Sequence, residues 1–175
     1  SRFQRCFSIL LVHVFHSISD ISIYRKGSLD FYDSVVLVGK FQKESIRSLE
    51  IKRGLKEKDL LPLGVPYLDF LIAKEEKTKN LKKTILIGSS WGDKGCLRSY
   101  GISFIKELSK KGYNIIVRPH PHSLVYEKKF IKKCRLELEN SKNLMWDDSI
   151  NPSESMNKSD LLISDTSSLR FDFFL

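Results

Sequence analysis

Short apolar runs alternate with amphipathic stretches along most of the chain, and this alternation constrains the fold more than any other feature. Residues 84–88, 113–117 and 161–164 are runs of four or five mostly apolar residues, typical of strands buried in a sheet. Between them, residues 97–111 and 124–138 carry apolar residues at helical spacing. Strands separated by helices need crossover connections, so we predict an α/β fold with parallel sheets.

The amino-terminal part of the chain has the same character. We predict strands at residues 8–15, 34–38 and 60–65. The first of these is predicted to be buried, and an amphipathic helix is predicted over residues 41–54. Residues 73–83 are dense in Lys and Glu with little to bury, which is typical of a linker. The predicted organisation is therefore residues 1–72 as the end of one domain, the linker, and residues 84–175 as an incomplete second domain.

Composition excludes several classes of protein. The chain has 175 residues, of which 41% are hydrophobic, so it can build a core and is not wholly disordered. Three cysteines at wide spacing argue against a disulfide scaffold and a zinc site, and they fit a reducing compartment. The chain stops inside an apolar run that has just begun, so we expect an internal fragment of a longer protein.

The chain is basic, with 30 Lys+Arg against 21 Asp+Glu and a formal net charge of +9. The basic run at residues 128–135 falls on a predicted helix, where a solvated outer face and contact with an anionic membrane surface or acidic polymer both stay open. Aromatic residues do not interleave with these basic residues, so we expect no nucleic-acid partner.

Polar side chains collect where four of the predicted strands end. In chain order the segments are His16-Ser17, Ser89-Ser90-Trp91-Gly92, Arg118-Pro119-His120-Pro121-His122 and Asp165-Thr166-Ser167-Ser168. In open parallel sheets, ligands bind outside the carboxyl ends of the strands. We therefore predict a ligand site built from these segments, with the first facing the other three across a cleft between two domains.

Two of these segments suit a phosphate group. A helix predicted from Ser167 carries hydroxyl groups in its first turn, and the start of a helix attracts anions. Ordinary N-capping by Asp165, Ser167 or Ser168 explains the same residues, so both interpretations stay open. The glycine-rich stretch 88–95 lacks the GxxxxGK[ST] spacing of a P-loop, and a phosphate, a ribose or a plain tight turn are all compatible with it.

The histidines differ in their surroundings. His120 lies between two prolines that restrict its backbone, which fixes the position of an imidazole suited to proton or phosphate chemistry. His13 and His16 lie three residues apart, an offset that puts them on opposite faces of a strand. We predict His13 to be a packed, hydrogen-bonded core residue and His16 to be functional. His122 is predicted to be a solvated surface residue, and Trp91 a cover over apolar surface.

Four blocks of sequence together resemble one enzyme family. They are His16-Ser17, Gly64-Val65-Pro66-Tyr67-Leu68-Asp69, Arg118-Pro119-His120-Pro121 and Ser164-Asp165-Thr166-Ser167-Ser168-Leu169-Arg170-Phe171-Asp172. From about Leu11 to its carboxyl end, the chain resembles the CDP-glycerol glycerophosphotransferase family, the teichoic-acid and capsule-polymer primases and polymerases. Ser17 stands where many members have Gly, and Thr166 where many have an aromatic residue, so another nucleotide-linked alcohol or sugar as donor stays open.

The resemblance implies a fold and an activity. The family has the GT-B architecture of two Rossmann-like domains, which makes residues 1–72 the acceptor side and residues 84–175 the nucleotide-donor side. The implied reaction moves glycerol phosphate, or a similar polyol phosphate, from CDP-glycerol or a related CDP-alcohol to a hydroxyl of a polyol-phosphate or glycan acceptor, releasing CMP. We accordingly expect a cytoplasmic protein, peripheral at the inner face of the bacterial cell membrane.

The resemblance also implies catalytic roles for His16 and His120. Neutral His16 is expected to be the general base for the acceptor hydroxyl, and charged His120 to stabilise the diphosphate. The expected substrate-binding residues are Ser89, Ser90, Arg118, Asp165, Thr166, Ser167 and Ser168. We expect no metal and no cofactor. Two alternatives stay open, a GT-B glycosyltransferase that uses a nucleotide sugar and a non-catalytic nucleotide-binding fragment.

Overall fold

A computed structural model of the chain describes residues 9–72 and 82–174. The chain divides into two compact units, residues 1–70 and residues 71–175, which are described separately below. Most of the linker predicted at residues 73–83 lies outside the described residues, so the predicted domain boundaries stay a prediction. Within the described ranges, every helix is too short or too polar to span a bilayer.

The first unit is a three-stranded parallel sheet with helices. Its strands are β1 (Val12–Val14), β2 (Ser34–Val36) and β3 (Asp59–Leu61), in the order β1-β2-β3. Its helices are a 3-10 turn (Ile21–Ile23), α1 (Phe41–Arg53) and α2 (Pro66–Ile72), which runs to the end of the unit. Buried side chains between the sheet and α1 form its core, namely Phe15, Ile21, Leu29, Val35, Leu37 and Ile46.

Helix α1 follows the sequence prediction closely. It ends before Gly54, which adopts the left-handed conformation at φ 59° and donates its N–H to the carbonyls of Glu50 and Ile51. Its buried face is not simply its apolar residues, because Ile51 is 82% exposed while Gln42 is fully buried. Gln42 accepts from the Val38 N–H at 2.8 Å and donates to the Ser19 carbonyl at 2.7 Å, so its amide is satisfied without water.

The first strand is shorter and more exposed than predicted. Of the buried strand expected at residues 8–15, Ser8 lies outside the described residues, and the rest contains the three-residue β1 at the edge of the sheet, where Val12 and Val14 are 45% and 56% exposed. Only alternate residues of an edge strand face the core, and here these are His13 and Phe15. His13 packs against Phe15 with ring centroids 4.6 Å apart, as predicted, while its buried Nε2 has no hydrogen-bond partner among the described residues.

The strand predicted at residues 60–65 is also shorter, because β3 ends at Leu61. Pro66 lies beyond the end of the strand and opens helix α2. Proline is favoured at the first helical position because its missing N–H would have no partner there and its φ is already helical.

The second unit is a four-stranded parallel sheet with helices along its edges and faces. Its strands are β4 (Thr84–Gly88), β5 (Asn114–Arg118), β6 (Leu144–Trp146) and β7 (Leu161–Ser164), in the order β6-β5-β4-β7. Its helices are α3 (Cys96–Ser99), α4 (Ser103–Lys110), α5 (Pro121–Tyr126), α6 (Lys128–Leu138), α7 (Ser153–Asn157) and α8 (Leu169–Asp172). The α/β fold class with parallel, helix-flanked sheets is therefore confirmed, and it fits a Rossmann-like, GT-B-like fragment.

Two long helices predicted in this unit are each broken into two. The helix expected at residues 97–111 becomes α3 and α4, separated at Gly101, whose φ of +67° is incompatible with a continuous helix. The helix expected at residues 124–138 becomes α5 and α6, with Glu127 between them outside helical geometry. The central strand β4 is buried along its whole length, and its apolar residues pack against Ile105, Ile115 and Leu138.

The sequence Asn151-Pro152-Ser153-Glu154 predicts the start of a helix, with Asn151 as its cap, Pro152 at the first position and Glu154 reaching back to the cap. Helix α7 begins one residue later, at Ser153. Asn151 Oδ1 accepts from the N–H of Ser153 at 3.0 Å and from its hydroxyl at 2.7 Å. Glu154 was expected to reach back to the cap, and instead pairs with Lys158 one turn later at 2.5 Å. This ion pair between residues four apart on one helix competes with the cap for the Glu154 carboxylate.

Candidate active site

Three of the four polar segments predicted at strand ends lie together in the second unit. Gly88 is in register with Arg118 on one side and with Ser164 on the other. The residues that follow β4, β5 and β7 therefore emerge side by side at the carboxyl edge of the sheet. The fourth segment contains His16, which is exposed in the first unit just after β1, beside the buried Ser17.

Asp165 links two of these segments. Its carboxylate accepts from the backbone N–H of Ser90 at 3.0 Å, of Cys96 at 2.6 Å and of Ser167 at 3.0 Å. The Ser89 hydroxyl lies 3.3 Å from the same carboxylate. Burial alone would raise the pKa of Asp165, but these hydrogen bonds outweigh it and lower the pKa below the usual value. Asp165 is therefore a charged group that fixes the start of the β4–α3 loop.

The β4–α3 loop is a tight turn with little freedom. Ser89 is buried, donates to the Ser90 carbonyl at 2.7 Å, and accepts from the Leu97 N–H at 3.2 Å. A Cβ added to Gly95 would collide with the Ser90 carbonyl oxygen and lie 2.9 Å from the Ser89 hydroxyl. Of the interpretations left open by the sequence, the geometry supports the tight turn, and the binding roles of Ser89 and Ser90 stay predictions.

The segment after β7 caps its own helix. The Asp165 carboxylate accepts from the Ser167 N–H, and the Ser167 hydroxyl accepts from the Leu169 N–H at 3.4 Å. The helix α8 that follows has four residues and begins two residues later than predicted. Thr166 and Ser168 are exposed beside this turn. Capping therefore accounts for Asp165 and Ser167, and the hydroxyls of Thr166 and Ser168 face solvent at the site edge.

The Arg118 guanidinium forms its hydrogen bonds with the segment that follows β6. The Arg118 side chain is 9% exposed, and its guanidinium donates to Asp147 at 2.5 Å and to the carbonyls of Ser149 and Ile150 at 2.7 and 3.1 Å. Burial tends to raise the pKa of Asp147, but hydrogen bonds from Ser149, Ser155 and Arg118 bring it down to about 2. Arg118 thereby holds the segment after β6 against the end of β5, and its predicted contact with substrate is untested.

His120 caps helix α5 with its imidazole. Its Nδ1 accepts from the His122 N–H at 3.0 Å, so the neutral ring carries its proton on Nε2. Burial, and then the neighbouring His122, lower the pKa of His120, while Asp165 and Glu127 act in the opposite direction. The geometry therefore favours a neutral His120 that donates from Nε2, in place of the charged form expected from the sequence.

A comparison with models of protein families shows which family the chain belongs to. The model of the CDP-glycerol:poly(glycerophosphate) glycerophosphotransferase family matches residues 25–175, which include all the segments gathered at the carboxyl edge of the second sheet. The chain belongs to this family. A comparison with curated proteins gives no match. His16 precedes the first matched residue of this glycerophosphotransferase domain, so its catalytic role stays a prediction.

Two features of this glycerophosphotransferase domain were missed in the sequence. Trp91 and His122, expected as an apolar cover and a solvated residue, have ring centroids 5.2 Å apart, and Tyr126 lies 5.7 Å from His122. The i,i+4 spacing of His122 and Tyr126 would have predicted their contact on one helix face. Glu127 accepts from the Gly92 N–H at 3.2 Å and ties the loop to the α5–α6 junction, and no local pattern signals a contact this distant in sequence.

Proposed function

We propose that this chain is part of an enzyme that moves glycerol phosphate, or a similar polyol phosphate, from CDP-glycerol or a related CDP-alcohol to a hydroxyl of a polyol-phosphate or glycan acceptor. The proposal includes a place in teichoic-acid or capsule-polymer synthesis. Membership of the glycerophosphotransferase family supports a transferase of glycerol phosphate in general. The observation that carries the site assignment is the convergence of the β4, β5 and β7 ends around Asp165.

The diphosphate of the donor is proposed to lie beside His120, Thr166 and Ser168. The Nε2–H of neutral His120 and the two exposed hydroxyls can donate to phosphate oxygens. Asp165 would repel an anion directly, and its oxygens already accept backbone hydrogen bonds. We therefore give Asp165 a positioning role, in which it holds the Ser90 and Ser167 backbone in place beside the donor.

The proposed reaction is an in-line phosphoryl transfer. The acceptor hydroxyl oxygen forms a bond to the phosphorus that bears glycerol, and the bond from that phosphorus to the bridging oxygen breaks. CMP leaves with the electron pair, and His16 takes the proton of the acceptor hydroxyl. A general base of this kind contributes roughly 10²- to 10⁴-fold to a rate. The exposure of His16 supports this role, because an acceptor can reach its ring.

The location of the protein forms part of the same proposal. We propose that it works in the cytoplasm, peripheral at the inner face of the cell membrane. Helix α6 supports contact with an anionic surface, because its lysines are exposed while Ile131, Cys134 and Leu138 face the core.

Release of CMP from CDP-glycerol by the complete enzyme tests the proposed reaction. His16→Ala and His120→Ala should each lower the rate of CMP release by about 10²-fold or more. Circular dichroism and the thermal midpoint check that His16→Ala is folded, which its exposure predicts. If His16→Ala releases CMP as fast as the parent enzyme, His16 is not the general base. A nucleoside diphosphate and a glycoside as products would instead indicate a glycosyltransferase.

A further inference from the structure

An exposed group of aromatic side chains lies at the rim of the candidate active site, and the proposed reaction gives it no role. Trp91 is 50% exposed and Tyr126 is 72% exposed. His122, also exposed, lies between them, with ring centroids 5.2 Å from Trp91 and 5.7 Å from Tyr126. We call these three residues the aromatic rim. Aromatic side chains that stay in water lack the stabilisation that burial would give them. Their presence beside the candidate active site therefore points to a ligand that covers them.

The backbone that carries Trp91 is held in place by two carboxylates. Asp165 accepts from the Ser90 N–H, and Glu127 accepts from the Gly92 N–H, so the residues on both sides of Trp91 are anchored. Glu127 is itself held by the Arg98 guanidinium at 2.9 Å and by the Ser123 hydroxyl at 2.7 Å. A Trp91 ring placed by such contacts is preorganised for stacking.

The aromatic rim is continuous with the proposed phosphate site. His122 is in ring contact with His120, with centroids 5.0 Å apart, and its N–H donates to the His120 Nδ1. Trp91 follows directly after Ser90, whose N–H is bound to Asp165. Trp91 therefore stands two ring contacts away from the His120 imidazole that would donate to the diphosphate. In a nucleoside diphosphate, the ribose likewise separates the base from the phosphates.

We propose that Trp91, flanked by His122 and Tyr126, is the stacking surface for the base of the nucleotide donor. This inference rests on the proposed function, because it assumes that the donor diphosphate lies beside His120. A pyrimidine base has a π face that stacks on an aromatic ring whatever its edge pattern. An acyclic polyol phosphate has no such face, so the flat surface of the indole favours the nucleotide over the acceptor.

Binding of CDP to the full chain and to two Trp91 variants tests this inference. Isothermal titration calorimetry should find that Trp91→Ala weakens CDP binding by about 5- to 100-fold, the range typical for loss of one base–aromatic stack. Trp91→Phe keeps an aromatic face and should bind CDP within about threefold of the parent chain. Inorganic pyrophosphate, which has no base, should bind the parent chain and Trp91→Ala with the same affinity.

Tryptophan fluorescence gives a second, independent readout. The chain has two tryptophans, Trp91 and Trp146, so Trp146→Phe leaves Trp91 as the single reporter. CDP should quench this fluorescence at saturation, while pyrophosphate should leave it unchanged. Tyr126→Ala, at a position that is mostly exposed, offers a second variant of the rim that should fold and should also weaken CDP binding.

The binding results distinguish failure of the stacking inference from failure of the proposed function. If the parent chain binds CDP and Trp91→Ala binds it equally well, the stacking inference is overturned and the proposed function stands. If the parent chain does not bind CDP at all, both the inference and the proposed donor are overturned. Equal weakening of CDP and pyrophosphate by Trp91→Ala would also overturn the inference, because the effect would then lie outside the base.

Discussion

Asp165 is a partly buried carboxylate whose partners are mainly backbone N–H groups from two different segments. Such a group stays charged because each N–H replaces a hydrogen bond lost from water, and it stabilises the loop that supplies those donors. The sequence predicted its capping of Ser167, which is local. Its bonds to Ser90 and Cys96 join residues about 70 positions apart, which no local pattern reports.

Asp165→Asn should destabilise the second unit. The amide is neutral and keeps a single acceptor oxygen, so part of the backbone donor set loses its partner, at a cost of about 1–3 kcal/mol in the free energy of unfolding. Urea denaturation measures this cost. Asp148→Asn is the matched control, because Asp148 is exposed and its ion pair with Arg135 should contribute less than about 1 kcal/mol. Equal stability of the two variants would contradict the anchoring role of Asp165.

His120 should titrate below the ordinary histidine value of 6.5. Burial disfavours the imidazolium, and protonation of Nδ1 would also break its hydrogen bond with the His122 N–H. The ring therefore stays neutral to lower pH than a free histidine, and its donor proton stays on Nε2. Nitrogen chemical shifts of the ring, followed from pH 8 to pH 4.5, measure both the pKa and the tautomer. A pKa above 6.5, or a proton on Nδ1, would contradict this description.

At the scale of elements, the β4–α3 loop depends on the absence of a side chain at Gly95. The φ of Gly95 is −64°, so an alanine there suffers no backbone strain, but its Cβ would collide with the Ser90 carbonyl oxygen. Gly95→Ala should therefore destabilise the chain by about 1–3 kcal/mol, as overpacking does elsewhere. Lys94→Ala, at the exposed neighbouring position, should change stability by less than about 0.5 kcal/mol. Thermal unfolding of both variants compares them, and similar midpoints would show that the loop can shift.

The strands that the sequence predicted well are apolar runs whose neighbours in the sequence are polar. Residues 84–88 and 161–164 are strands with the expected bounds, because a continuous apolar run flanked by polar residues marks its own ends. Strand β1 was overestimated because apolar residues continue on both sides of Val12–Val14, so no polar residue marks the ends of the strand. The break at Gly101 was missed because apolar spacing continues across it, and only the backbone shows its positive φ.

At the scale of the whole molecule, stability should fall in acid as Asp147 is protonated, because its carboxylate accepts hydrogen bonds from Ser149, Ser155 and Arg118. The pKa of Asp147 is about 2 in the folded chain against an ordinary 3.8, so the folded state is stabilised above pH 3.8 and loses that stabilisation as the pH falls toward 2. The loss should be on the order of 2 kcal/mol. Urea denaturation between pH 5 and pH 2 measures it.

Asp147→Asn is the control for the acid effect. This variant should start less stable, because it leaves the buried Arg118 guanidinium without its carboxylate, at a cost of roughly 3–5 kcal/mol. It should then show a shallower dependence of unfolding free energy on pH below 4 than the parent chain. The same slope in both proteins would mean that other carboxylates govern the acid response.

The overall architecture was predictable because strand–helix alternation dictates parallel sheets, and parallel sheets gather the residues after each strand at one edge. That rule alone predicts that Ser89, His120 and Asp165 lie at the same edge of the sheet. The charge state of His120 was not predictable in this way, because it depends on burial and on one hydrogen bond from His122. The partners of Arg118 were missed for the same reason, since they come from the loop after β6.

Nuclear magnetic resonance mapping of CDP on the isotope-labelled chain tests the central claim most directly. The account predicts that amide shifts change at Ser90, Trp91, His120 and Ser168, at the carboxyl edge of the second sheet. The amino edge of that sheet carries a competing cavity of about 320 Å³, lined in part by Lys83, Leu108, Tyr113, Asp160 and Leu161. Shift changes confined to that cavity, with the carboxyl edge unaffected at saturating CDP, would contradict the account.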